Sequence, residues 1–92
     1  MPASPRVGPP PSHIIETEID DEVSLYNPHD EAVLVLNLTA SDVWRLCDGE
    51  QTLEEIVEMI SRAYRVKADS IREDVAAAVS EFVQAGFVPW PE

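Results

Sequence analysis

The sequence is poor in the residues that build chemical sites. It has one cysteine, three glycines and two histidines in 92 residues. A lone Cys47 excludes an internal disulfide and any multi-cysteine zinc or iron–sulfur site. Gly8, Gly49 and Gly86 are too scattered for a phosphate-cradling loop. Basic residues are scarce as well. Arg6, Arg45, Arg62, Arg65, Lys67 and Arg72 stand against eighteen carboxylates, for a formal charge of -12. Nucleic acid and anionic membrane are held by Lys and Arg, so both are disfavoured as partners. A basic peptide or protein is the better match for long-range attraction. No apolar run approaches the roughly 18 residues that cross a bilayer. The first eleven residues lack the apolar stretch of a secretory signal. The expectation is one small cytoplasmic domain.

Apolar residues nonetheless make up 45% of the chain, enough for a core. Residues 1–12 hold five of the eight prolines. Proline removes a backbone donor and blocks helix and inner strand, so this stretch reads as a disordered Pro-rich tail. A proline-rich ligand for an SH3-type domain is its functional alternative. The domain proper is expected over residues 13–90.

The next segment alternates with a period of two. Ile15, Thr17 and Ile19 fall on one face, Glu16 and Glu18 on the other, and Asp20-Asp21 reads as a turn. Val23 and Leu25 mark a second strand ending at Tyr26. Asn27-Pro28-His29-Asp30 is a second turn. Ala32 to Leu36 is a third strand, apolar on both faces, which predicts that neither face stays wet. Short turns make the three an antiparallel meander.

From Thr39 the period becomes about 3.6. Thr39-Ala40-Ser41-Asp42 resembles a capping box, and Asp48-Gly49 stops the helix it opens. Thr52-Leu53-Glu54-Glu55 is a second box, followed by a stripe of Leu53, Ile56, Val57, Ile60 and Tyr64. Asp69 or Ser70 caps a third helix with its stripe on Ile71, Val75, Ala78, Val79 and Phe82, and Gly86 ends it. Phe87 to Trp90 reads as a short extended end. Three strands followed by three helices argue for an α+β fold of winged helix-turn-helix type.

Few residues offer chemistry. His13 and His29 have no metal-ligand spacing and read as ordinary exposed histidines. Cys47 sits among apolar neighbours with no base at a useful offset, so it reads as a buried structural residue. The carboxylates follow helix surfaces. Asp69-Ser70-Ile71 is similar to the attachment element of acyl carrier proteins, but a strand-rich first half does not suit an all-helical bundle. Ser70 is then a helix cap. A DNA-reading winged helix needs a basic recognition helix, and residues 70–85 offer only Arg72. No catalytic site assembles, so the chain does not read as an enzyme, and no cofactor or metal is implied.

A peptide groove is the more productive reading. Val33, Leu34, Val35 and Leu36 lie on a strand at a sheet edge, where N–H and C=O groups stay unpaired. The third helix has a run of small residues, Ala76-Ala77-Ala78, that permits close approach. An extended peptide entering between them joins the sheet as a strand. Val33, Val35, Val75, Val79 and Phe82 would form its pockets, and Asp69, Glu73 and Asp74 would favour a basic peptide. Taken singly, each apolar residue is equally well explained as core.

The wording of the helical half resembles the PqqD family. The run Leu36-Asn37-Leu38-Thr39-Ala40 carries the resemblance, with Val43-Trp44-Arg45-Leu46-Cys47-Asp48-Gly49 and Thr52-Leu53-Glu54-Glu55-Ile56-Val57. Ile71-Arg72-Glu73-Asp74-Val75, Phe82 and Ala85-Gly86-Phe87-Val88 extend it, so that it spans about residues 13–88. It implies a winged-helix-like, non-catalytic protein. Such a protein binds the leader segment of a ribosomally made precursor peptide and hands it to a processing enzyme. The leader adds beside the third strand and packs on the third helix. On that pattern Val33, Leu34, Val35 and Leu36 contact the leader from the sheet. Asp69, Arg72, Glu73, Val75, Ala76, Val79 and Phe82 contact it from the helix. The chain looks like a free-standing recognition protein of lasso-peptide biosynthesis whose partner is a leader peptidase. A peptide chaperone for a radical enzyme in pyrroloquinoline quinone biosynthesis is the alternative, and an acyl-carrier-like protein using Ser70 is the alternative from another class.

Overall fold

A computed structural model describes residues 6–89. The element order is β1 (Ile15–Ile19), β2 (Glu22–Asn27), β3 (Ala32–Val35), α1 (Leu38–Leu46), α2 (Leu53–Tyr64) and α3 (Ala68–Gln84). The strands form one antiparallel sheet in the order β1-β2-β3, as the meander predicts.

Both turns follow from their residues. Asp20 and Asp21 take positive φ of 51° and 70°, the left-handed pair that lets a two-residue loop match the strand twist. In the second turn Asn27 is buried, and its Oδ1 accepts the N–H of His29 at 3.0 Å while its Nδ2 donates to Asp30. That side-chain turn replaces backbone bonds that Pro28 is unable to make.

The inner face of the sheet carries Val23 and Leu25 into a core completed by Leu36, Val43, Trp44, Ile56, Val57, Ile60, Ile71, Val75, Val79 and Phe82. Trp44 meets Phe82 edge to face, with centroids 5.3 Å apart, which locks α1 onto α3. The Ser41 hydroxyl accepts the N–H of Val23 at 2.8 Å inside this core, so the helices and the sheet share one buried polar contact. All three helices pack on the same side. The outer face stays open, and Val33 and Val35 are 64% and 70% exposed. The expectation that β3 is covered on both faces is therefore corrected. No described element packs over its second face.

Cap positions also moved. Asn37, not Thr39, caps α1, its Oδ1 accepting the N–H of Ala40 at 2.8 Å. The Thr52–Glu55 box opens α2 as expected, with both reciprocal bonds formed. Lys67 precedes α3 with no side-chain cap. Ser70 stands inside the first turn and donates to the Lys67 carbonyl at 2.7 Å, so neither it nor Asp69 is the cap. Gly86 follows α3 at φ +82°, the left-handed exit expected of a terminal glycine. The N–H groups of Phe87 and Val88 then return to the Phe82 carbonyl. Both side chains are buried, so this end folds back rather than extending. Trp90, in the same expected segment, lies outside the described residues.

The Pro-rich start is docked from Arg6 onward, and residues 1–5 lie outside the described residues. Val7 is 2% exposed; its N–H donates to the Gln51 carbonyl and its carbonyl accepts from Gly49, both at 2.8 Å. Gly8 follows at φ +87°, and a Cβ there would stand 2.0 Å from the Cys47 carbonyl oxygen. Proline richness forbids helix and inner strand but not this strap-like docking, so the expected tail over residues 1–12 is shortened and the packed unit begins before residue 13.

Candidate functional site

Among the described residues β3 has a neighbour on one side only. The Leu36 N–H donates to the Val23 carbonyl at 2.8 Å, and the register continues with Leu25 opposite Leu34 and Asn27 opposite Ala32. Antiparallel ladders alternate bonded and non-bonded pairs. Hence Ala32 and Leu34, with the N–H of Leu36, turn their backbone groups to β2. Val33 and Val35 aim theirs at the free edge.

Helix α3 runs beside that edge in the opposite direction. At its C-terminal end, a Cβ on Gly86 would stand 3.5 Å from Asp30 Oδ2 in the turn that begins β3. Further back, Asp74, Ala77, Ala78 and Glu81 face Asn37, Thr39 and Ala40, just after β3, across a groove of about 390 Å³. Among the described residues α3 rests on α1 and α2, and none of its Cα atoms comes within 8 Å of one in β3. Strand edge and helix are thus tied at two ends and separate between them.

The residues expected at the site divide into three groups. Val33, Leu34 and Val35 lie on β3 as expected, two of them presenting free backbone, whereas Leu36 follows the strand and is buried in the core. Val75, Val79 and Phe82 do not line an open pocket: they are at most 2% exposed and belong to the core behind it. Asp or Arg at Val75 would bury a charge and unfold the domain rather than leave it intact. Asp69 and Arg72 are engaged on the α2 side, and Ala76 is half-buried. Arg72 pairs with Glu54 of α2 and with Asp69, and its hydrogen bond holds the Glu54 carboxyl below its ordinary value. Glu73 is exposed. Asp74, Ala77, Ala78 and Glu81 line the groove instead, across from Asn37, Thr39 and Ala40. A 3.6-residue stripe identifies the buried face of a helix but not which flank borders a groove. A missed signal was the spacing of Asp74, Ala77, Ala78 and Glu81, itself helical.

The remaining chemical groups are occupied. Cys47 is buried and its Sγ donates to the Val43 carbonyl; burial, and then the charge of Asp48, push its thiol up to about 12. It is therefore neutral and shielded at ordinary pH. His13 and His29 are not independent surface residues, since their rings stack 3.7 Å apart and tie the start of β1 to the β2–β3 turn. Among the described residues no cluster of His, Cys, Asp and Glu is arranged to hold a metal ion, and no helix is long and apolar enough to cross a membrane.

Residues 22–88 match the family described as coenzyme PQQ synthesis protein D (PqqD). No curated protein matches the chain. Among solved structures, the chain is similar to TbiB1 in complex with the TbiA(beta) leader peptide. The TM-score is 0.77 at 22% identity, over 87% of this chain and 93% of that one. It is also similar to a lasso peptide synthetase B1 complexed with the leader peptide. There the TM-score is 0.71 at 23% identity, over 87% and 94% of the two chains.

Proposed function

The chain belongs to the PqqD family, and we propose that it is a non-catalytic protein that captures the leader segment of a ribosomally made precursor peptide. The observation that carries this reading is the free edge of β3, uncharged along its length and followed by a groove of small and acidic residues between α3 and the start of α1. The leader joins the sheet as a fourth strand. Its backbone pairs with the N–H and C=O groups of Val33 and Val35, each bond contributing about 1 kcal/mol net. Its side chains on the inner side enter the groove against Ala77 and Ala78, and Asp74 and Glu81 favour Lys or Arg there.

Ordering a flexible leader costs part of this gain. The return is effective concentration: the segment after the leader stays near whichever enzyme the complex meets. Charge accelerates encounter with a basic leader, so affinity falls as salt rises. The enzyme is a leader peptidase if the pathway makes a lasso peptide, the reading that the two similar leader complexes support. The matched family's description favours the second reading, a peptide chaperone in pyrroloquinoline quinone synthesis. Either task belongs in the cytoplasm, where precursors are made. An acyl-carrier role is disfavoured by the sheet, which supplies part of the core.

Fluorescence polarisation with labelled lasso and pyrroloquinoline quinone precursor leaders tests the reading. Saturable binding to one leader, lost when its apolar anchors are replaced, supports capture and names the pathway. A folded chain that binds none of them refutes it.

A further inference from the structure

We propose that the captured peptide carries both signs of charge in a fixed order: a basic residue in the groove and, about three residues further on, a carboxylate that meets Arg65 and Lys67 in the α2–α3 turn. The inference rests on the capture reading above and names the chemistry of the peptide it takes.

The turn has the opposite sign to the chain around it. Residues 59–68 hold Arg62, Arg65 and Lys67, three of the six basic residues, and no carboxylate. Residues 62–67 are all exposed, Tyr64 and Val66 among them. Arg62 pairs with Glu58 one helical turn back, and the next acid, Asp69, is taken by Arg72. Among the described residues Arg65 and Lys67 enter no ion pair.

Arg65 is also held at a cost. It caps α2 in the left-handed conformation, at φ 57° and ψ 44°. Glycine adopts that conformation freely, whereas an ordinary side chain is strained there. A cation kept where glycine would relax the backbone points to a use for its side chain.

The fold sets this turn at the end of the groove. Lys67, Asp74 and Glu81 are spaced by seven, so they stand in one row along the helix. Asp74 and Glu81 line the groove, and so does Thr39 of α1. One turn after Thr39, Asp42 accepts the hydroxyl of Tyr64, which brings the end of α2 against the start of α1. A peptide leaving the β3 edge through the groove passes Glu81, then Ala78 and Ala77, then Asp74, and reaches Lys67 and Arg65 next. From Asp74 to Lys67 is about 10 Å along the axis, the span of about three extended residues. A peptide basic throughout is repelled at the turn, and one acidic throughout is repelled in the groove. A nucleic acid would have to lie across a chain of charge -12 to reach these cations, whereas one carboxylate on a peptide already held meets no such barrier.

The test starts from whichever labelled lasso or pyrroloquinoline quinone precursor leader the chain binds in polarisation titrations. That leader should carry Asp or Glu about three positions from a Lys or Arg. Arg65→Glu with Lys67→Glu, its folding checked by circular dichroism, should bind the leader about tenfold more weakly at low salt. Replacing that one leader carboxylate by Lys should restore the variant to within about twofold of wild type, while the same change at a distant leader carboxylate should not. Arg65→Gly separates side chain from strain: it should raise the urea midpoint yet weaken binding by about threefold. Unchanged affinity in either variant overturns the proposal. So does a loss that the Lys leader does not restore, or a bound leader with no carboxylate at that spacing. A folded wild-type chain that binds no leader is a separate result and refutes the capture reading instead.

Discussion

The sheet has two edges, and they are built on opposite terms. β1 points Glu16 and Glu18 under the sheet. There Glu16 accepts the indole N–H of Trp44 at 2.6 Å, and Glu18 pairs with Arg45 of α1. The backbone groups at its free edge belong to those same two residues, by the alternation that frees Val33 and Val35 in β3. An added strand at β1 would run along a charged margin already tied to a helix. β3 has no charge over Ala32–Val35, and a groove between α3 and the start of α1 opens just past its end. Inward-pointing charges are a known guard against strand addition. The contrast teaches that one edge is closed by its side chains and the other left available.

Paired proline substitutions break or confirm this contrast most sharply. Val35→Pro removes a free-edge donor without removing a bond to β2, and leader affinity should fall by about tenfold or more. Glu18→Pro does the same at the other edge and should change affinity less than about twofold. Polarisation titrations, with circular dichroism as the check on folding, compare them. Normal binding by Val35→Pro removes β3 from the mechanism.

Opening the guarded edge is the next largest effect. Glu16→Leu leaves the nearly buried Trp44 indole without its acceptor and should cost about 1.5 kcal/mol in urea unfolding. The same variant should self-associate in sedimentation, whereas Glu16→Gln keeps an acceptor and most of the stability. Neutralising the groove is smaller: Asp74→Asn with Glu81→Gln should weaken a basic leader by about threefold and flatten its salt dependence. Smallest is Asp21→Gly in the β1–β2 turn. It relieves a positive φ and should stabilise by about 0.5 kcal/mol, with leader affinity unchanged. A change in affinity there would implicate β1 after all.

Strand order, both turns and the second capping box were legible because each rests on local rules. Alternation places Val23 and Leu25 inward, and Thr52 with Glu55 leaves little choice of helix start. What failed needed knowledge across the chain. The cap at Asn37 competes with Thr39 two residues later, and only the approach of α1 to β2 decides. Val75, Val79 and Phe82 have the composition of a pocket and of a core alike, and packing makes them core. The groove at Asp74 and Glu81 depends on which flank of α3 turns toward the start of α1. Val7 was hidden by the prolines around it, although its burial needs only one apolar side chain and one permissive glycine at position 8.

That strap gives Cys47 an unplanned use. The thiol lies at the end of α1, with Gly8 pressed against its own carbonyl, so the strap and the cysteine share one seam. Alkylation of Cys47 requires its buried thiol to reach solvent. Its rate is a clock for opening at the α1–α2 junction, read by mass from a single native residue. Timed with and without leader, the clock reports whether peptide held at one side of the molecule stiffens the other.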